Sequence, residues 1–146
     1  MSGKYPRVTA GGLIFNKEGE FLLVQSHKWS NKWLLPSGKV KYGEKLKDTL
    51  RREMKEETNL EITDIKFYFF GEMIKPLEYY EPDNHFICFN FICQAVNEKE
   101  LKLNEEAENW AWVNFSQAKN KDLEGLTRKS LLNYFKNQAK GKPCQN

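Results

Sequence analysis

Residues 38–60 read GKVKYGEKLKDTLRREMKEETNL, and the helical period inside this stretch organises the rest of the chain. From Lys45 to Thr58 the residues are dense in Lys, Arg, Glu and Leu, all good helix formers. Asn59 stands where such a helix would close, a place its tolerance of left-handed backbone suits. With Glu53 set at zero and about 100° per residue, Glu56 falls near about −60° and Glu57 near about +40°. Leu46, Leu50, Thr49 and Met54 fall on the same face, at about +20°, +60°, −40° and +100°. Lys47, Asp48, Arg51 and Lys55 take the broadly opposite side. Three carboxylates therefore stand beside the face that must pack on the rest of the fold.

Carboxylates so placed repel one another, and partial desolvation worsens the repulsion unless a cation or a proton intervenes. Oxygen-only ligands favour a hard ion, Mg²⁺ or alternatively Mn²⁺, and an ion that keeps some of its water suits a phosphate substrate. One glutamate left unbound can then act as a general base. The competing reading is a charged surface helix whose glutamates pair with Lys45, Arg51, Arg52 and Lys55. Two upstream features weigh against it. Gly38 ends a Pro-Ser-Gly loop, where a bare backbone carbonyl can reach a metal, and Gly43-Glu44 opens the helix, where a carboxylate gains from the dipole.

Moving outward, Val8 to Phe15 and Phe21 to Gln25 flank the turn signal Asn16-Lys17-Glu18-Gly19 and predict a hairpin-like strand pair. Ser26 to Lys32 is polar apart from Trp29, and Trp33 to Gly38 is expected to be loop, stopped by its proline and glycine. Ile62 to Met73 predicts a strand, residues 74–84 with two prolines a loop, and Phe86 to Cys93 a strand covered on both faces. Glu108 to Val113 is a further short strand. From Thr127 onward Leu131, Leu132, Tyr134 and Phe135 mark an amphipathic helix, capped by Thr127 or a neighbour. Strands and helices interleave, so the expected architecture is α/β, a mixed sheet with helices on both faces.

A chain of 146 residues fits one domain, residues 1–146, with residues 140–146 expected to fray. Hydrophobic residues at 40% and charged residues at 29% argue against disorder and fibrous repeats, while aromatics at 14% leave some rings for a ligand. The net charge of +3, from 23 basic and 20 acidic residues, is too mild for a nucleic-acid groove. No segment reaches a membrane span or a signal peptide, so the expectation is a cytoplasmic protein with no membrane partner. Cys88 and Cys93, five apart in an alternating segment, should face opposite sides of a strand, and Cys144 lies in the polar tail; no disulfide or zinc pattern exists.

Gly38, Glu44, Arg52, Glu53, Met54, Glu56, Glu57 and Leu60 resemble the Nudix box, G-x5-E-x7-R-E-U-x-E-E-x-G-U with U aliphatic, at every spacing. Only Asn59 departs from it, standing where the family has glycine. Asn is the next best residue for a left-handed helix end. Leu22-Leu23-Val24 and Trp33-Leu34-Leu35-Pro36 resemble the strand and W-x-x-P lead-in that precede the box, and Ser37 replaces a glycine common there. The resemblance is tight over residues 38–60 and loose over the rest. It implies a Nudix-type α/β/α sandwich and a Mg²⁺-dependent hydrolase of a diphosphate linkage in a nucleotide. It further implies that Glu53, Glu56 and Glu57 hold the metal with the Gly38 carbonyl, while Arg52 and Glu44 orient the carboxylates. The family recruits another carboxylate from outside the box. Here Glu105, Glu106 and Glu108 are the candidates, with Glu106 preferred.

The box names the bond and leaves the substrate to the surrounding loops. Trp29 and Tyr80, or Tyr79 beside it, are candidates to stack on a base, with packing at the edge of the core as the weightier alternative. The segment Leu103 through Val113, followed by Leu126 to Lys129, resembles the nucleoside triphosphatase branch of the family, MutT-like enzymes that release a monophosphate and pyrophosphate. ADP-ribose or a nucleotide sugar is the alternative substrate. A non-catalytic nucleotide-binding module is the alternative function, disfavoured because no box carboxylate is missing. The chain is expected to act as a monomer or homodimer on a small nucleotide.

Overall fold

The structure, a computed structural model, describes residues 4–139. The tail 140–146 and Cys144 lie outside the described residues. Seven strands form one sheet: β1 (Arg7–Phe15), β2 (Phe21–Ser26), β3 (Lys32–Leu34), β4 (Ser37–Lys39), β5 (Ile62–Ile74), β6 (His85–Ala95) and β7 (Asn109–Val113). The helices are α1 (Leu46–Thr58), α2 (Phe115–Lys119) and α3 (Gly125–Ala139). The central order is β3-β2-β1-β6-β5, with β4 paired to β1 and β7 to β2. Among the strand pairs of the described residues, β1 and β6 run parallel and the others are antiparallel. The expected mixed α/β sheet is therefore what the chain forms.

Side chains alternate across the strands, and each face builds its own core. Ile14, Leu22, Val24, Phe91 and Cys93 pack with Leu50 and Met54 of α1, whereas Leu13, Phe21, Leu23 and Val113 pack with Leu131 of α3 and Ala118 of α2. Cys88 and Cys93 are both buried and free, and they join separate clusters, as their spacing requires. Leu50 is fully buried, so Leu50→Ala is expected to cost about 2–5 kcal/mol, read as a lowered denaturant midpoint with an unchanged slope.

Helix α1 spans the predicted residues. It ends at Asn59, whose φ of 61° is left-handed and whose N–H donates to the Lys55 carbonyl at 3.1 Å. Three local expectations need correction. Trp33 to Gly38 is not all loop: β3 and β4 flank Pro36, which lacks an N–H but whose carbonyl accepts from Gly12 N–H at 3.0 Å. Helix α3 starts before Thr127, at Gly125. Its cap is Glu124, whose carboxylate accepts from the N–H groups of Leu126 (2.7 Å) and Thr127 (2.9 Å). The five-residue α2 was not expected, although Asn114 and Gln117 form a capping box before it.

Candidate functional site

Helix α1 faces β4, and the two meet at Glu53 and Gly38. A Cβ at Gly38 would lie 1.8 Å from Glu53 Oε1 and 2.2 Å from its Cγ, so the glutamate fills the space a side chain would take. Arg52 ties the surrounding acids together. Its Nε and Nη2 donate to the two oxygens of Glu44 at 2.7 and 2.9 Å, its Nη1 donates to Glu53 at 2.7 Å and to Glu56 at 3.2 Å, and Nη2 also reaches the Lys39 carbonyl at 3.1 Å. Glu44 accepts further from the Thr49 hydroxyl (2.7 Å) and Lys41 N–H (3.1 Å). The Arg52 guanidinium, with Thr49, holds the Glu44 carboxyl well below the usual carboxylate range. Glu44 is thus a fixed anion that anchors Arg52, and Arg52 in turn orients Glu53.

Glu53, Glu57 and Glu106 offer carboxylate oxygens that all lie within 4.8 Å of one another, and each residue is half-buried. Burial pushes the Glu57 carboxyl well above the ordinary range, and the nearby Glu53 and Glu106 push it the same way. Burial also works to raise Glu106, but the hydrogen bond and charge of Lys28, at 3.0 Å, leave it below its ordinary value. Without a cation, one proton on Glu57 relieves the cluster. The donor set is all oxygen, carries surplus negative charge and is only partly open to water. These residues fit a hard divalent cation.

The structure separates the expected ligands. Glu57 and Glu53 converge, while Glu56 is exposed and bonded to Arg52, outside the three-glutamate group. Of the three acids outside the box, Glu106 joins the cluster; Glu108 instead accepts from the His27 backbone N–H and pairs with its ring. A cavity of about 160 Å³ opens beside the cluster, reaching from Gly38, Glu57 and Glu106 to Trp29, Tyr79 and Phe86. Trp29 lies 4.5 Å from the Tyr79 ring and 6.0 Å from Phe86, centroid to centroid, so it both packs and lines the cavity. Tyr80 is exposed and is not among the lining residues; Tyr79, its buried neighbour, takes that place.

Several polar lining residues were not singled out from sequence. Asn90 sits buried mid-strand, its amide donating to Ser130 Oγ at 3.0 Å. One polar residue inside the apolar run Phe86 to Cys93 was the available signal. Lys28 and Glu124 also line the cavity, and neither has a local sequence signature.

The NUDIX domain family model matches residues 5–134. The chain belongs to the Nudix family. It is a MutT-like Nudix hydrolase, acting on phosphoric anhydride bonds. A nucleoside triphosphatase named NudI from Escherichia coli is 31% identical over 127 residues, covering 81% of this chain and 89% of the relative. The crystal structure of a MutT protein from Methanosarcina mazei superposes with a TM-score of 0.70 at 26% identity, covering 96% of this chain and 99% of that one. An Ap4A hydrolase from C. elegans, solved as a binary complex, gives 0.70 at 25% identity, with 92% and 98% covered. Nudix hydrolases generally use a divalent metal, and among the described residues the Glu53, Glu57 and Glu106 cluster is a candidate place for one. Among the described residues no helix is long and apolar enough to cross a membrane.

Proposed function

We propose that this Nudix hydrolase is a Mg²⁺-dependent pyrophosphohydrolase that cleaves a nucleoside triphosphate to the monophosphate and pyrophosphate. The observation that carries it is the convergence of Glu53, Glu57 and Glu106 beside an aromatic-walled cavity that Glu57 and Glu106 line. The name of the Escherichia coli relative, a nucleoside triphosphatase, supports the substrate class.

In this reading Glu53, Glu57 and Glu106 hold the cation with help from the Gly38 carbonyl. A cation held there would supply charge to neutralise the diphosphate and polarise the phosphorus under attack. The chain supplies the rest. Arg52 takes one oxygen of Glu53 in a charge-assisted bond, so the carboxylate is held in one orientation with its other oxygen left to face the cation site. Glu44 keeps Arg52 in place through two bonds and does not itself meet the substrate. Trp29, with Tyr79 beside it, offers a flat apolar surface to the nucleobase. Glu56 can add its carboxylate only by loosening its bond to Arg52, which places it at the edge of the proposed ligand set.

Steady-state assays with nucleoside triphosphates, ADP-ribose and nucleotide sugars test the proposal. Triphosphates are expected to yield pyrophosphate, with turnover abolished by chelation and restored by Mg²⁺ or Mn²⁺. Turnover confined to the other substrates would overturn the substrate assignment, and turnover surviving chelation the cation assignment.

A further inference from the structure

Lys28 stands in the site without belonging to the cation cluster. Its ammonium donates to Glu106 Oε1 at 3.0 Å, and its side chain is 31% exposed, low for a residue type that is mostly solvated. The turn carrying it is stapled to the acidic loop. Ser26 Oγ accepts from Lys28 N–H at 3.2 Å and donates to the Glu106 carbonyl at 3.0 Å, and Glu108 accepts from His27 N–H at 3.0 Å. Asn104 Oδ1 then accepts from Glu106 N–H at 3.0 Å. Lys28 and Glu106 therefore meet because the backbone on both sides is fixed, and the pair is not a chance surface contact. Through its carboxylate Glu106 also bonds to Glu57. One acid stands between a lysine and the proposed cation site.

That position sets up a competition. A divalent cation drawing on Glu106 would face the Lys28 ammonium across a single carboxylate, and like charges this close repel. The ammonium would then sit in the cavity wall with its partner's charge taken up, and the acceptor a substrate brings there is a phosphoryl oxygen. Lys39 lines the same cavity and adds a second positive charge. We propose that Lys28 changes partner during substrate capture: it holds Glu106 in the cation-free protein and transfers to the polyphosphate once Glu106 engages the cation. Cation and polyphosphate then reinforce each other's binding through one side chain. The inference rests on reading Glu53, Glu57 and Glu106 as a divalent-cation site; the identity of the nucleoside does not enter.

The test compares the full-length wild type with Lys28→Met and Lys28→Arg. Mn²⁺ binding to substrate-free protein is followed by the spin resonance of free Mn²⁺, and binding of inorganic tripolyphosphate at saturating Mn²⁺ by calorimetry. Lys28→Met is expected to bind Mn²⁺ alone about two- to fivefold more tightly, because the ion pair no longer competes. It should bind tripolyphosphate about tenfold more weakly, because a charge-assisted bond is lost. Lys28→Arg should restore most of the tripolyphosphate affinity. If Lys28 merely props Glu106 in place, Lys28→Met weakens Mn²⁺ binding, and the proposal is overturned. It is overturned equally if both affinities stay at wild-type values while the thermal melts coincide. A wild type that binds no Mn²⁺ would remove the cation site, and this inference with it.

Discussion

Glu57→Gln is expected to lower kcat/KM by about 10³-fold while leaving the protein folded. The amide keeps the shape and neutral hydrogen bonding of the side chain but removes a charge that a divalent cation needs. The fold should tolerate the change because the carboxyl is already biased toward its neutral form. Burial, with Glu53 and Glu106 adding to it, raises its folded-state pKa above the unfolded value. An acid raised in this way binds more protons folded than unfolded, so it contributes stability at low pH that is lost as pH rises from about the unfolded value upward. In the presence of chelator, wild type should therefore lose stability from about pH 4.5 toward neutrality, and Glu57→Gln should lose less of it. At neutral pH the variant should melt no lower than wild type. Undiminished turnover in Glu57→Gln would remove Glu57 from the cation site. A variant that melts well below wild type in chelator would show instead that the charged form is needed for folding.

The helix that carries Glu57 was legible because its information is local. A period of 3.6 residues and the good helix formers around Leu46 to Thr58 suffice to put Glu53, Glu56 and Glu57 on the packing face. The division of roles among them was not legible by angle. On the helical wheel Glu56 and Glu57 lie on either side of Glu53 at similar offsets. The tie is broken by Arg52, at about −100° on the same wheel, which is Glu56's side and draws that carboxylate away. Glu44 and Arg52 fell within reach of the motif because only the N-cap and about two turns of helix separate them. Glu106 sits at long range in sequence. Its place depends on Asn104, Ser26 and Lys28, bonds that no pattern along the chain reveals.

The strands follow the same rule. Long alternating runs such as Phe86 to Cys93 announce themselves, but β3 and β4 are three residues each, too short for a period of two to register. The α3 cap is hard to read in sequence because Glu124 is outside the usual capping residues and Thr127, which looks like one, lies inside the first turn with its hydroxyl accepting from Leu35 N–H at 3.3 Å. Tyr79 and Tyr80 are adjacent and chemically alike, so only the packing against Trp29 and Phe86 decides which of them turns inward.

Gly38→Ala makes the packing of α1 against β4 testable with one methyl group. The new Cβ would stand within 2.2 Å of the Oε1, Cδ and Cγ atoms of Glu53. Overlap with the tip alone could be relieved by a small rotation, but overlap with Cγ requires the whole side chain to leave. The backbone has little room to yield, since β4 is paired with β1 at Thr9, Ala10 and Gly11. Glu53 would swing out, losing its place by Glu57 and Glu106 and its bond to Arg52 Nη1. The expected result is a fall in kcat/KM of about 10²-fold or more together with weaker Mn²⁺ binding, while the melt shifts little because Glu53 is half-buried and not part of either apolar core. Gly43→Ala is the matched control. Its φ of 82° makes that substitution strained, yet no atom lies within 4 Å of its Cβ position, so it should lower stability and spare the cation site. Wild-type activity and Mn²⁺ affinity in Gly38→Ala would show that Glu53 works from another position than the one between β4 and Arg52.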